Sequence, residues 1–299
     1  MRHDLFPYDS DDRMVAKMAP FLESGLAERE AVVVILDRRK WELLADALGS
    51  DAEAISYIDR DAFYERPEAA IAGYDRRLRE FARDGAKSVR AFAELPRCET
   101  EREWDPWIAY EATVNRALAH HPFWVTCGYD KREMPEPLFE SGLDTHPCIL
   151  SDDRARSPRY HDPEEVVSTR TPTAVPLTGL HALPTYGDAQ GFRESLSAEL
   201  EAAGVPPLES QNMLIAAGEV LANAQQHGGG PLSVRVGVVG DRFACEISDA
   251  GPGIGDPLVG FVPPQPGHVG GAGLWVARQL TSQLELVPSP QGFSVRLWI

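Results

Sequence analysis

Apolar positions recur along the chain in two rhythms, and the rhythm decides which element each stretch predicts. AVVVILD (Ala31–Asp37) is an unbroken, β-branched run of the kind a parallel strand buried on both faces requires. SVRAFAEL (Ser88–Leu95) and FWVTCGYD (Phe123–Asp130) predict two more strands. Around them the spacing turns helical, at Met14–Leu26, Pro67–Arg83 and Asp105–Ala119. Strand and helix alternating in this way predict an α/β layer with a largely parallel sheet over residues 1–152. Within the third helix Trp104, Trp107 and Tyr110 follow one another at i, i+3 and i+6, which reads as helix packing rather than a ligand cage.

Residues 153–186 carry several prolines, mixed charge and weak periodicity, the composition of a linker. Beyond it a helical pattern runs from Asp188 to Ala203, with Phe192, Leu196 and Leu200 as its stripe. Gly204 to Pro207 turns the chain into a second helix, Leu208–His227, which Gly228–Gly230 end. LSVRVGVV and RFACEISDA alternate as strands and meet at Gly240-Asp241, a two-residue hairpin turn. Asp256–Val269, rich in Pro and Gly, predicts a short lid, Leu274–Ser282 a helix, and LELV and FSVRLWI two closing strands. Residues 187–299 therefore predict a two-layer α/β sandwich with a mixed sheet.

Chemistry concentrates in that second half. In GEVLANAQQHGGG, Glu219, Asn223 and His227 follow one another at intervals of four. Each lies one turn on and roughly 40° round from the last, along a border of the apolar stripe. A carboxylate and an amide at the edge of a buried face cost free energy unless something pairs with them. Two further boxes follow in order: SDAGPGIGD, with Asp249, Gly251, Gly253 and Gly255, and GHVGGAGLWVARQL, with Gly270, Gly271 and Gly273 opening a helix. Glycines let backbone approach a ligand closely, and a helix N-terminus offers free N–H groups to an anion.

This order of boxes resembles the GHKL (Bergerat) ATPase fold. The E-x-x-x-N-x-x-x-H-G spelling of the first box and the GLWVARQL helix resemble, within it, the bacterial anti-sigma regulatory factors, serine kinases that hold a sigma factor and phosphorylate a STAS-domain anti-anti-sigma protein. The resemblance implies ATP and Mg²⁺ as cofactors. It implies that Asn223 binds Mg²⁺, that Asp249 accepts from the adenine amino group, and that Glu219 is the general base for the target serine. Gly251, Gly253, Gly255, Gly271 and Gly273, with Leu274, would shape the pocket and its lid, and His227 would close the helix end. A homodimer is a further expectation of that resemblance. Two positions depart from the pattern, because Ala272 stands where relatives commonly have a phosphate-reaching Arg, and Phe293 where they have Thr, with Ser294 one place along. They leave open a second reading, a non-catalytic switch that sequesters a sigma factor with nucleotide, or none, as regulatory ligand.

The first half holds no G-x-x-x-x-G-K-S/T phosphate loop, since Gly25 has no Lys or Ser/Thr in the required place. His3, the YDSDD stretch (residues 8–12) and SYIDRDAFY (residues 56–64) resemble the MEDS sensory domain, a degenerate RecA-like α/β module of bacterial regulators. The whole then resembles a sensor-coupled anti-sigma factor. His120 and His121 are adjacent and expected to face different ways, and His146 with Cys148 forms at most half a metal site. His181, flanked by Gly179 and Pro184, does not sit on the long helix that a phosphoacceptor histidine needs.

Composition narrows the partners. A formal charge of −17 over 299 residues argues against nucleic acid or an anionic membrane and suits a basic protein partner. The four cysteines are scattered without C-x-x-C spacing and read as reduced thiols, and no run is apolar enough to span a membrane. The expectation is a cytoplasmic protein.

Overall fold

A computed structural model of the chain describes residues 1–169, 177–183, 188–264, 272–289 and 292–299. The chain divides into two compact units, Met1–Arg170 and Thr171–Ile299.

The first unit is a seven-stranded sheet in the order β3-β2-β4-β5-β1-β6-β7. Its strands are β1 (Arg2–Tyr8), β2 (Ala31–Leu36), β3 (Ser56–Asp59), β4 (Val89–Ala93), β5 (Phe123–Asp130), β6 (Cys148–Leu150) and β7 (Arg154–Arg156). Pairing is parallel from β3 through to β6, and only β6 with β7 is antiparallel. One face carries Phe6, Tyr8 and Phe92 against α1 (Asp11–Ala27) and α2 (Arg38–Leu48), where Met14, Met18, Leu22 and Leu44 are buried. The other face meets α4 (Pro67–Arg83), α5 (Glu101–Ala117) and α6 (Glu136–Thr145), as the contacts of Phe123, Cys127 and Tyr129 with Tyr74, Glu111 and His146 make plain. A short α3 (Arg60–Phe63) links β3 to α4. The aromatic residues of α5 pack as expected: Trp107 and Tyr110 lie edge-on to Tyr64 at 5.6 and 6.0 Å, all of them buried.

Part of the stretch expected as linker is structured. β7 extends the sheet, Arg154 grips the buried Asp4 through two hydrogen bonds of 2.7 and 3.0 Å, and α7 (Pro163–Thr169) buries Val166 and Val167. Short polar elements of this kind hide from periodicity because one ion pair and two valines hold them.

The second unit is a five-stranded sheet, β11-β12-β10-β9-β8, covered by α8 (Ala189–Ala202), α9 (Pro207–His227) and α10 (Ala272–Leu280). Its strands are β8 (His181–Ala182), β9 (Pro231–Val239), β10 (Arg242–Asp249), β11 (Gln283–Ser289) and β12 (Gly292–Trp298). The sheet is not mixed, because every described pair is antiparallel. β9 turns into β10 at Gly240, with φ of 67°, and β11 pairs antiparallel with β12, Ser289 opposite Gly292. Met213, Ala216, Ala217, Val220, Leu221 and Ala224 of α9 are buried, as its stripe predicts. Both units are thus of the α/β class expected. Among the described residues, no helix is long and apolar enough to cross a membrane.

Candidate nucleotide site

The three boxes converge on one cavity of about 350 Å³ in the second unit, between α9, the loop after β10, the start of α10 and β12. Asn223, Asp249, Gly251, Gly253, Gly273 and Leu274 all line it. This volume lies within the range of small-molecule sites. Glu219 and Asn223 are half-buried, as residues on the border of a buried stripe should be.

Asp249 is held from several sides. Its Oδ1 accepts from the Gly251 N–H at 2.8 Å, an Asx-type turn that aims the carboxylate. A Cβ on Gly228 would lie 2.4 Å from the Asp249 Cγ, and one on Gly251 would lie 2.9 Å from its Oδ1. Gly292, at φ of 147°, brings β12 so close that a Cβ there would lie 1.9 Å from the Asp249 carbonyl oxygen. Gly228, the last residue of the first box, and Gly292 are both held to glycine by contact with Asp249.

Gly273 does the equivalent for the other polar pair. A Cβ there would lie 2.7 Å from Glu219 Oε2 and 3.4 Å from Asn223 Nδ2, so the first turn of α10 presses against them. Gly255 meets nothing within 4 Å, and neither it nor Glu219 is among the described residues lining the cavity. Gly270 and Gly271 lie outside the described residues.

Backbone closes the end of α9, with the N–H groups of Gly228 and Gly230 both donating to the Ala224 carbonyl at 2.9 Å. His227 is exposed and borders the cavity instead of capping the helix. Phe293 also lines the cavity and packs on Gly253, which holds φ of 79°. Ser294, next along the strand, points away from it and shares a 2.7 Å hydrogen bond with Ser248. The first part of the lid is packed down: Leu258 is buried, Arg278 reaches the Val259 carbonyl at 3.4 Å, and its guanidinium stacks on Phe261 at 3.7 Å. Residues 265–269 of the lid lie outside the described residues. Among the described lining residues there is no Lys or Arg.

In the first unit, the carboxyl ends of β1, β4 and β5 gather Tyr8, Glu94 and Asp130 around the buried Lys40 of α2. Lys40 Nζ lies 2.8 Å from Glu94 and 3.2 Å from Asp130, and the Tyr8 hydroxyl donates to Glu94. Burial pushes the Lys40 amine down, but Glu94, Glu133 and Asp130 outweigh it and hold it above its ordinary value. The carboxyl ends of parallel strands are where ligands usually sit. Here the cavity is only about 30 Å³, so the charges satisfy one another and leave space for about one water.

Two histidine readings need correction. His120 and His121 do not face apart, since both Nε2 atoms point at Asp75 Oδ1, from 3.6 and 2.8 Å. They lie past the end of α5, where a turn replaces the helical rotation between neighbours. His146 does not pair with Cys148; it faces Glu111 of α5, with Nε2 3.3 Å from Oε2. His181 sits in the two-residue strand β8 and pairs with Glu199 at 3.0 Å.

The second unit is thus an α/β sandwich with a cavity bounded by a polar helix, an Asp-Gly loop and a helix start. Residues 182–299 match the family model of the histidine kinase-like ATPase domain, and residues 2–147 match that of MEDS, the methanogen/methylotroph, DcmR sensory domain. The chain therefore joins a MEDS domain to a histidine kinase-like ATPase domain. No curated protein matches it.

Proposed function

We propose that the second unit binds MgATP and that the chain is a sensor-coupled anti-sigma factor, which sequesters a sigma factor and phosphorylates a STAS-domain anti-anti-sigma protein on serine. One observation carries the nucleotide part: five glycines (Gly228, Gly251, Gly253, Gly273 and Gly292) are each placed where a Cβ would strike the groups that line or border a single cavity. That cradle fits a nucleotide, because it keeps Asp249 and Asn223 open to a ligand while clearing backbone around them.

In this reading Asn223 holds Mg²⁺ and Asp249 accepts from the adenine amino group. Gly251, Gly253, Gly255, Gly271 and Gly273, with Leu274, shape the pocket and lid. Bound ATP supplies the phosphoryl group, and Mg²⁺ neutralises charge that develops on it. Glu219 takes the proton of the target serine, a role that needs only a positioned carboxylate. A net charge of −17 suits basic protein partners.

The second reading, a switch without phosphoryl transfer, is favoured by one specific observation. Ala272 opens α10, and no described cavity-lining residue is Lys or Arg, so the described residues offer little to clamp a γ-phosphate. Calorimetric titration of MgATP and MgADP into wild type, Asn223→Ala and Asp249→Asn tests the binding. Loss in both variants supports the site, and a folded wild type that binds neither nucleotide sinks the proposal. Incubation with a STAS partner and MgATP then separates the readings: a phosphoserine mass shift that Glu219→Ala abolishes means a kinase, and its absence means the switch.

A further inference from the structure

The first unit holds a second cluster of chemistry that the nucleotide site does not use. His3 of β1, Glu111 of α5, Cys127 of β5 and His146, which caps α6, are buried together on the α5–α6 face of the sheet, each 8% exposed or less. Glu111 Oε2 lies 3.0 Å from His3 Nε2 and 3.3 Å from His146 Nε2. Cys127 Sγ lies 3.3 Å from His3 Nε2 and 3.9 Å from Glu111 Oε2. The four donor atoms all fall within 4.8 Å of one another. Tetrahedral zinc, with bonds of about 2.0–2.3 Å, sets its ligand atoms roughly 3.3–3.6 Å apart. The observed edges straddle that range.

Hydrogen bonds decide which histidine nitrogens carry protons. The Asn115 amide nitrogen donates to the Thr145 carbonyl at 2.8 Å, which leaves its Oδ1 facing His3 Nδ1 at 3.1 Å. His146 Nδ1 lies 2.9 Å from the Gly142 carbonyl oxygen, which can only accept. Both Nδ1 atoms therefore donate, so in the neutral imidazoles each Nε2 carries the lone pair and faces the same carboxylate oxygen. Two imidazoles, a carboxylate and a thiol thus converge in one buried place. His146 Nε2 and Glu111 Oε1 have no hydrogen-bond partner there. Convergent acceptors in a buried place call for a cation between them.

We propose that His3, Glu111, Cys127 and His146 form a closed, four-coordinate site for a divalent transition-metal ion, with Zn²⁺ the ion their chemistry suits. Two imidazoles, a thiolate and a carboxylate make a mixed set of borderline softness, which fits tetrahedral zinc better than the oxygen-seeking Mg²⁺ or Ca²⁺. On binding, the Cys127 S–H bond is exchanged for a metal–sulfur bond and the proton passes to solvent. Asn115 and the Gly142 carbonyl act as positioning groups, holding each imidazole in the ligating tautomer. A neighbouring cavity of about 190 Å³, bordered by His3, Asn115 and Pro147, offers a way in. The ion would tie β1, at the start of the unit, to β5, α5 and α6, so metal and folding are coupled. The inference is independent of the nucleotide site.

The test is metal content and Co²⁺ substitution on the full chain after chelator stripping. About one equivalent of Zn²⁺ or Co²⁺ per chain is expected, with a thiolate-to-Co²⁺ charge-transfer band. Cys127→Ser should abolish the band, and Asn115→Ala should weaken metal affinity about 10- to 100-fold. Should these variants fail to fold, X-ray absorption of the zinc-loaded wild type keeps the test open, since it should give one sulfur at about 2.3 Å and imidazole nitrogens at about 2.0 Å. A folded wild type that takes up no Co²⁺, a band that survives in Cys127→Ser, or a zinc shell without sulfur overturns the proposal. Asp75→Asn, in the other histidine cluster, should leave stoichiometry unchanged, and its loss of the bound ion would also overturn the assignment.

Discussion

At Gly292 the chain passes within van der Waals reach of Asp249, and no other residue type fits. Alanine there would set a methyl 1.9 Å from the Asp249 carbonyl at φ of 147°, combining overpacking with backbone strain. Gly292→Ala should destabilise the second unit by about 2–4 kcal/mol in denaturant unfolding, and a change under about 0.5 kcal/mol would show that β12 can shift freely. Asp75 makes a pH prediction. Burial pushes its carboxyl up, but hydrogen bonds from His121 and Arg79 outweigh this and hold it at about 2, below its ordinary 3.8. A depressed folded value stabilises above the unfolded one, so this contribution is complete above about pH 4 and fades as pH falls towards 2. Asp75→Asn should therefore lower stability at neutral pH and flatten the acid limb, and parallel pH–stability curves would refute it. Spacing alone made Glu219, Asn223 and Asp249 legible as candidates. Gly228 was legible as the end of the first box, but the contacts that require glycine there and at Gly292 were not, since each comes from a part of the chain that spacing does not reach.

Between elements, the approach of α10 to α9 depends on Gly273. Alanine at this position would favour the helix, by up to about 1 kcal/mol, while its methyl pushes aside the mobile end of Glu219. Gly273→Ala should leave unfolding within about 1 kcal/mol of wild type and still weaken MgATP at least about tenfold in calorimetry, a split that a purely structural glycine would not produce. Strong patterns were read correctly: β5 and α4 have the bounds their periodicity predicts. The misses have physical causes. β1 reads HDLFP and contains a proline, so it shows neither clean alternation nor a β-branched run, yet it lies inside the sheet. β7, Arg-Ala-Arg, is wholly exposed, and ladder bonds with an Arg154–Asp4 pair specify it instead of a hydrophobic face.

For the whole molecule, the histidine cluster illustrates what linear reading loses. His3, Glu111, Cys127 and His146 have no motif spacing, because four separate elements deliver them and only the parallel topology brings β1 beside β5. That topology also sets a timetable for synthesis. Of this unit's strands β1 is synthesised before the others, but its two neighbours are β5 and β6, which end at Asp130 and Leu150. At about 5–20 residues per second, some 7–30 s pass before β1 finds both partners. During that interval β1 waits without a sheet, its Leu5, Phe6 and Tyr8 uncovered, so nascent chains should depend on chaperones that shield it, and refolding should be slow for a domain of this size.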